Sequence, residues 1–63
     1  MMTKLIRLKR VMELTGLSRS TIYAYIKAGK FPSQVVLTER CVGWPEDAIQ
    51  NWILQRIEEG VIA

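Results

Sequence analysis

The chain has 63 residues, 49% of them hydrophobic, and a net charge of +3; it is too apolar for a disordered segment and too short to build a ligand pocket beside its core, so we expect one small globular domain over residues 1–63. One cysteine, Cys41, and no histidine exclude an intramolecular disulfide, a Cys/His zinc site and a cysteine–histidine hydrolase, which leaves an expectation of no cofactor and no enzyme. No apolar run approaches the roughly 20 residues that span a bilayer, and Met1–Arg7 is too short and too interrupted for a signal peptide, so the expected location is cytoplasmic, away from membrane.

The first periodic segment begins near Leu8, where Leu8, Val11, Met12 and Thr15 recur at spacings of three and four and share one helical face. Gly16 ends that helix, because the position calls for a left-handed backbone that glycine adopts without a Cβ penalty, and Leu17 can then pack back on the helix just left. Ser18 opens a second helix by offering its hydroxyl to a free N–H of the first turn, while Thr21 supplies no acidic partner for a capping box. In that helix Ile22 and Ile26 face inward with Tyr25 beside them, and Ser20, Tyr23, Ala24 and Lys27 take the other side. Gly29 and Pro32 close it. Residues 8–28 thus read as a helix-turn-helix whose second helix presents a small, polar and cationic face, with Tyr23 and Lys27 long enough to reach along a groove.

Charge is unevenly spread. Residues 1–40 hold eight Lys/Arg against Glu13 and Glu39, whereas residues 41–63 hold Arg56 against Glu46, Asp47, Glu58 and Glu59. The cationic part is the part with the helix-turn-helix, which suits attraction to a polyanion and counterion release on contact. Lys9 and Arg10 fall in the first turn of the first helix, where the helix dipole disfavours each by roughly 0.3–1 kcal/mol. A phosphate met at this end of the helix would account for them. Arg19 lies at the border of the buried face and can bridge either to a phosphate or to Glu13.

After Pro32 the period becomes alternating. Gln34–Leu37 and Cys41–Trp44 are β-compatible runs around Thr38-Glu39-Arg40, predicting a hairpin over about 34–44 in which Val35 and Leu37 face one way, as do Val42 and Trp44. Beside a helix-turn-helix such a hairpin is a wing, with Arg40 at its tip for a phosphate or the minor groove, or simply solvated. Cys41 reads as a small strand residue. Pro45 suits the first position of a third helix over about 45–59, with Glu46 and Asp47 placed favourably against its dipole, which explains them without catalysis. Ala48, Ile49, Trp52, Ile53, Arg56 and Ile57 form its core stripe, and Trp52 is a packing residue in it. Leu54 and Val61-Ile62-Ala63 fall outside the stripe and read as a self-association surface or a frayed end.

These residues carry a resemblance. Arg7–Tyr23, then Ile26-Lys27, Gly29, Phe31-Pro32, the strand ending in Leu37, Arg40 with Val42-Gly43-Trp44, and the helix holding Ile49 and Trp52 together resemble the AlpA family of phage and prophage regulators, from about Leu5 to Arg56. The resemblance implies a mainly α fold with a small β-hairpin, a three-helix winged helix-turn-helix of the excisionase and MerR type. It implies a transcriptional regulator that binds double-stranded DNA sequence-specifically, with an excisionase-like factor that bends attachment-site DNA for an integrase as the alternative and a protein-interaction module as a third class. The DNA-contacting positions it implies are Ser18, Arg19, Ser20, Thr21, Tyr23 and Lys27 on the second helix and Arg40 on the wing. Arg10 stands where an acidic residue is common, and Thr-Glu-Arg where glycine is more usual. Partners implied are duplex DNA, further copies of the chain on repeated sites, and an integrase or RNA polymerase.

Overall fold

In the computed structural model, which describes residues 4–60, the chain runs β1 (Leu5–Ile6), α1 (Leu8–Thr15), α2 (Arg19–Lys27), β2 (Val35–Thr38), β3 (Cys41–Pro45) and α3 (Glu46–Gly60). Val61-Ile62-Ala63, read above as an association surface or a frayed end, lie outside the described residues. The fold is mainly helical with a hairpin wing, a winged helix-turn-helix.

Both helix ends expected from glycine are present. Gly16 adopts φ 73°, and its N–H donates to the Met12 carbonyl at 2.8 Å, which satisfies one of the last carbonyls of α1. Gly29, at φ 74°, ends α2 in a Schellman arrangement: its N–H donates to Ile26 at 3.0 Å, and the Lys30 N–H to Tyr25 at 2.8 Å.

The sheet has three strands in the order β1-β3-β2, all antiparallel, with Leu5 opposite Pro45, Ile6 opposite Trp44, Val35 opposite Gly43 and Val36 opposite Val42. β1 was not expected. It is two residues long, too short to show an alternation, and pairs with a strand about forty residues away. The hairpin loop is shorter than expected, because Thr38 pairs with Cys41 and only Glu39 and Arg40 turn the chain. The Thr38 hydroxyl accepts the Arg40 N–H at 3.3 Å, which tightens the turn, and the register shifts between Val36 and Thr38 as a bulge. Pro45 ends β3 instead of opening α3. Its missing N–H is tolerated there because β2 pairing stops at Gly43, so that among the described residues only Leu5 pairs with it.

The core is Ile6, Val11, Ile22, Phe31, Trp44 and Ile49, with Trp44, Ile22, Ile49 and Val11 fully enclosed. Ile26, Val42, Trp52 and Ile53 pack on its margin. The α3 stripe holds only as far as Ile53, since Ile57 is 56% exposed and Arg56 is exposed as well. A 15-residue helix is about 22 Å long, and its last turns outrun the body beneath it. Among the described residues no helix is long and apolar enough to cross a membrane.

Candidate nucleic-acid interface

The turn at Gly16 delivers Ser18 to the start of α2 with extended backbone, φ −76° and ψ 161°. Its Oγ accepts the Thr21 N–H at 3.2 Å, as the sequence led us to expect, and its hydroxyl donates to Thr21 Oγ1 at 2.9 Å. Ser20 Oγ lies 3.4 Å from Ser18 Oγ. Three hydroxyls therefore cluster on the first turn of a helix whose other N–H groups point outward, with no acidic residue in that turn to compete for them. Thr21 is half-buried, its hydroxyl engaged by the cap, whereas Ser18, Arg19, Ser20, Ala24 and Lys27 are exposed. Ala24, between Ser20 and Lys27, gives this face a low centre.

The two tyrosines of α2 exchange their expected environments. Tyr23 is half-buried and packs against the core, its ring edge-on to Trp44 with centroids 6.4 Å apart, and Tyr25 is exposed. Both lie about 80° from the mean direction of Ile22 and Ile26 on a helix that advances about 100° per residue. Helical position alone ranks them equally. The sheet decides the matter by covering the flank of Tyr23. Arg19 is exposed and stands over the Tyr23 ring at 5.9 Å, a cation–π approach that leaves its guanidinium near the outer face. Glu13 does not pair with Arg19, since it lies 3.4 Å from Arg10 instead, both side chains more than half exposed.

α1 begins at Arg7 with extended backbone and no side-chain cap, and no acidic residue lies in its first turn. Lys9 and Arg10 are exposed there as expected. Lys9 lines a shallow depression with Met12, Glu13, Gly16, Leu17 and Ser18, so one cation of α1 is brought to the start of α2. Arg40 is exposed on the wing turn, and among the described residues no hydrogen bond or ion pair joins it to another candidate. Arg7 was missed by sequence reasoning. It lies beside the Cys41 thiol, where the Thr38 hydroxyl and then the Arg7 guanidinium hold the thiol below its ordinary pKa. The signal available was its place at the head of an Arg-Leu-Lys-Arg run.

The start of α2 and the adjoining side of α1 bring together hydroxyls, helix N–H groups and the Lys9 cation, with Glu13 beside them, while Arg40 stands apart on the wing next to Glu39. Hydroxyls, free helix N–H groups and cations are the donors that oxyanions accept from. Among the described residues no group of three His, Cys, Asp or Glu is placed to hold a metal ion.

Comparison with known proteins gives three findings. The model of the family described as prophage CP4-57 regulatory protein (AlpA) matches residues 4–57. The chain is 44% identical over 54 residues to uncharacterized protein ORF88 of Enterobacteria phage P4, covering 86% of this chain and 61% of that protein, so it spans about three-fifths of that relative's length. It is 34% identical over 59 residues to the DNA-binding transcriptional activator AlpA of Escherichia coli (strain K12), with 84% of each chain covered.

Proposed function

The chain belongs to the AlpA family of prophage regulatory proteins, and from that premise we propose that it binds a specific site on double-stranded DNA and regulates transcription there. The observation that carries the reading is the outer face of α2, where Ser18, Arg19, Ser20, Ala24 and Lys27 are all exposed along a helix with no acidic residue in its first turn. In this reading α2 enters the major groove. Ser20 and Ala24 allow close approach, the first-turn N–H groups and the Ser18–Thr21 hydroxyls lie against phosphate, and Lys27 extends the contact along the groove. Arg19 and Tyr23 act together, with the ring backing the guanidinium as it reaches the backbone.

Lys9 and Arg10 clamp the same duplex from α1, and Arg40 meets the backbone or the minor groove from the wing. Exposed Arg10–Glu13 pairs are worth well under about 1 kcal/mol, so a phosphate can displace Glu13 at little cost. The relative from Escherichia coli is named a transcriptional activator, which favours activation over repression for this chain as well.

Fluorescence anisotropy against duplexes tiled across DNA flanking the gene and the nearest integrase gene tests the reading at several salt concentrations. One tile bound about 10³-fold above a random duplex, with affinity falling steeply as salt rises, is the expected result. Uniformly weak binding to every tile would overturn it.

A further inference from the structure

Apart from Val36, on the other face of the hairpin, and Tyr25 on α2, the exposed large apolar side chains fall in two places outside the proposed DNA-binding face. On the sheet, the antiparallel register puts Leu5, Val35 and Gly43 on the face opposite Ile6, Val42 and Trp44. Leu5 and Leu37 close over Gly43, where an added Cβ would stand 3.5 Å from Leu5 Cβ and 3.3 Å from Leu37 Cδ1. Leu5, Val35 and Leu37 form one cluster, yet they remain 38%, 41% and 40% exposed. Arg7 lies at its edge, beside Cys41.

The second place is the end of α3, where Leu54 and Ile57 are each 56% exposed. They are three residues apart and so neighbours on the helix surface, and Glu58 stands four residues beyond Leu54 on the same side. Glu59 is held by Arg56 at 3.5 Å, whereas among the described residues Glu58 makes no ion pair.

We propose that these two faces join copies of this chain head to tail on adjacent DNA sites, the α3 end of one copy seated on the outer sheet face of the next. The proposal rests on the DNA-binding reading above. Charge chooses the pairing: sheet against sheet sets Arg7 against Arg7, and α3 against α3 sets Glu58 against Glu58, whereas sheet against α3 sets opposite charges around an apolar centre. Two unlike faces make a heterologous contact, which propagates along a row of sites instead of closing into a dimer. Patches of three and two apolar side chains fall far below the roughly 1,200 Å² of a stable interface, so free copies stay apart. A duplex that holds two copies side by side raises their effective concentration to the millimolar range, where a weak contact suffices.

The test uses the full chain on duplexes carrying one or two copies of the bound site. On the two-site duplex we expect the second copy to bind about ten-fold more tightly than the first. Val35→Glu, or Leu54→Gln with Ile57→Gln, should abolish that gain and leave single-site affinity unchanged. Glu58→Lys alone, which sets a second cation against Arg7, should weaken the gain, and an equimolar mixture of the sheet and α3 variants should regain it through the one intact face that each contributes. Single-site binding without a second-site gain overturns the docking alone, as does a gain that survives Val35→Glu or is not regained in the mixture. Absence of specific single-site binding overturns the DNA-binding reading and the docking with it.

Discussion

The Trp52 indole N–H donates to the Lys30 carbonyl at 2.8 Å, tying the middle of α3 to the loop that leaves α2. Trp44 does the same from β3, donating to the Pro32 carbonyl at 3.0 Å. Between the two carbonyls Phe31 is buried, edge-on to Trp52 with centroids 4.8 Å apart. Trp44 thus fills the core and Trp52 covers its margin, while the one polar atom of each ring satisfies a loop carbonyl and the exit of α2 is fixed in direction. A helix that reads a groove needs that fixed direction, because its polar face is useful only when aimed.

The two tryptophans should not be equivalent. Trp44→Phe removes a donor where the Pro32 carbonyl is part-buried and shrinks a fully enclosed ring, for an expected loss of about 1–3 kcal/mol. Trp52→Phe removes a donor at an exposed bond, where water can replace it, and should cost about 1 kcal/mol. Urea unfolding measures both, and equal losses would mean that solvent access to the loop does not set the cost.

Gly16→Ala isolates the backbone contribution of the turn. Nothing lies within 4 Å of an added Cβ, so the cost is that of holding an L-residue at φ 73°, about 1–2 kcal/mol. Gly16→Asn should lose less, since asparagine tolerates this region better. Thermal unfolding that ranks Gly, then Asn, then Ala is the expected outcome, and a larger loss for Asn than for Ala would count against a conformational origin.

Local signals were the ones legible in the sequence. Gly16, Ser18 and Gly29 act through hydrogen bonds to residues within a few positions, so residue type and spacing carried the helix-turn-helix and its polar face. What escaped depends on partners distant in the chain. Leu5–Ile6 becomes a strand only because β3 offers an edge, Tyr23 outranks Tyr25 only because Trp44 lies on its side, and Ile57 loses its roof only because the body ends before the helix does. Arg10 was legible as a cation in an unfavourable place, but its pairing with Glu13 depends on a rotamer that periodicity does not specify.

Cys41 should be a more acidic thiol than an ordinary cysteine, owing to the Thr38 hydroxyl and then the Arg7 guanidinium. Its pKa is lowered in the fold, so the thiol loses its proton more readily there than in the unfolded chain. Its contribution to stability is fully present above the unfolded pKa and is lost as pH falls through the folded pKa. Alkylation by iodoacetamide should show a midpoint below that of the urea-unfolded chain, and Thr38→Val should move it back up. Coincident midpoints in folded and unfolded chains would contradict this.

Contacts proposed for the phosphate backbone separate from base contacts by salt. Lys9→Ala or Arg40→Ala should weaken binding about equally on every sequence and reduce the slope of log affinity against log salt by about one each. Unchanged slopes would remove α1 and the wing from the interface.

Ser18 combines a structural role with a proposed contact, and two substitutions divide them. Ser18→Ala removes the acceptor of the Thr21 N–H and should cost about 1 kcal/mol of stability, weakening DNA binding through a frayed first turn. Ser18→Asp keeps an acceptor in the same place and adds negative charge favourable to the helix dipole, so stability should be retained or improved. That same charge would face phosphate if α2 enters the groove as proposed, and affinity should then fall at least ten-fold in a chain that is no less stable. Equilibrium unfolding and anisotropy on the same preparation read the two quantities separately. If Ser18→Asp binds DNA as tightly as the natural chain, the start of α2 does not approach the backbone, and the groove-entering face must be sought elsewhere on the molecule.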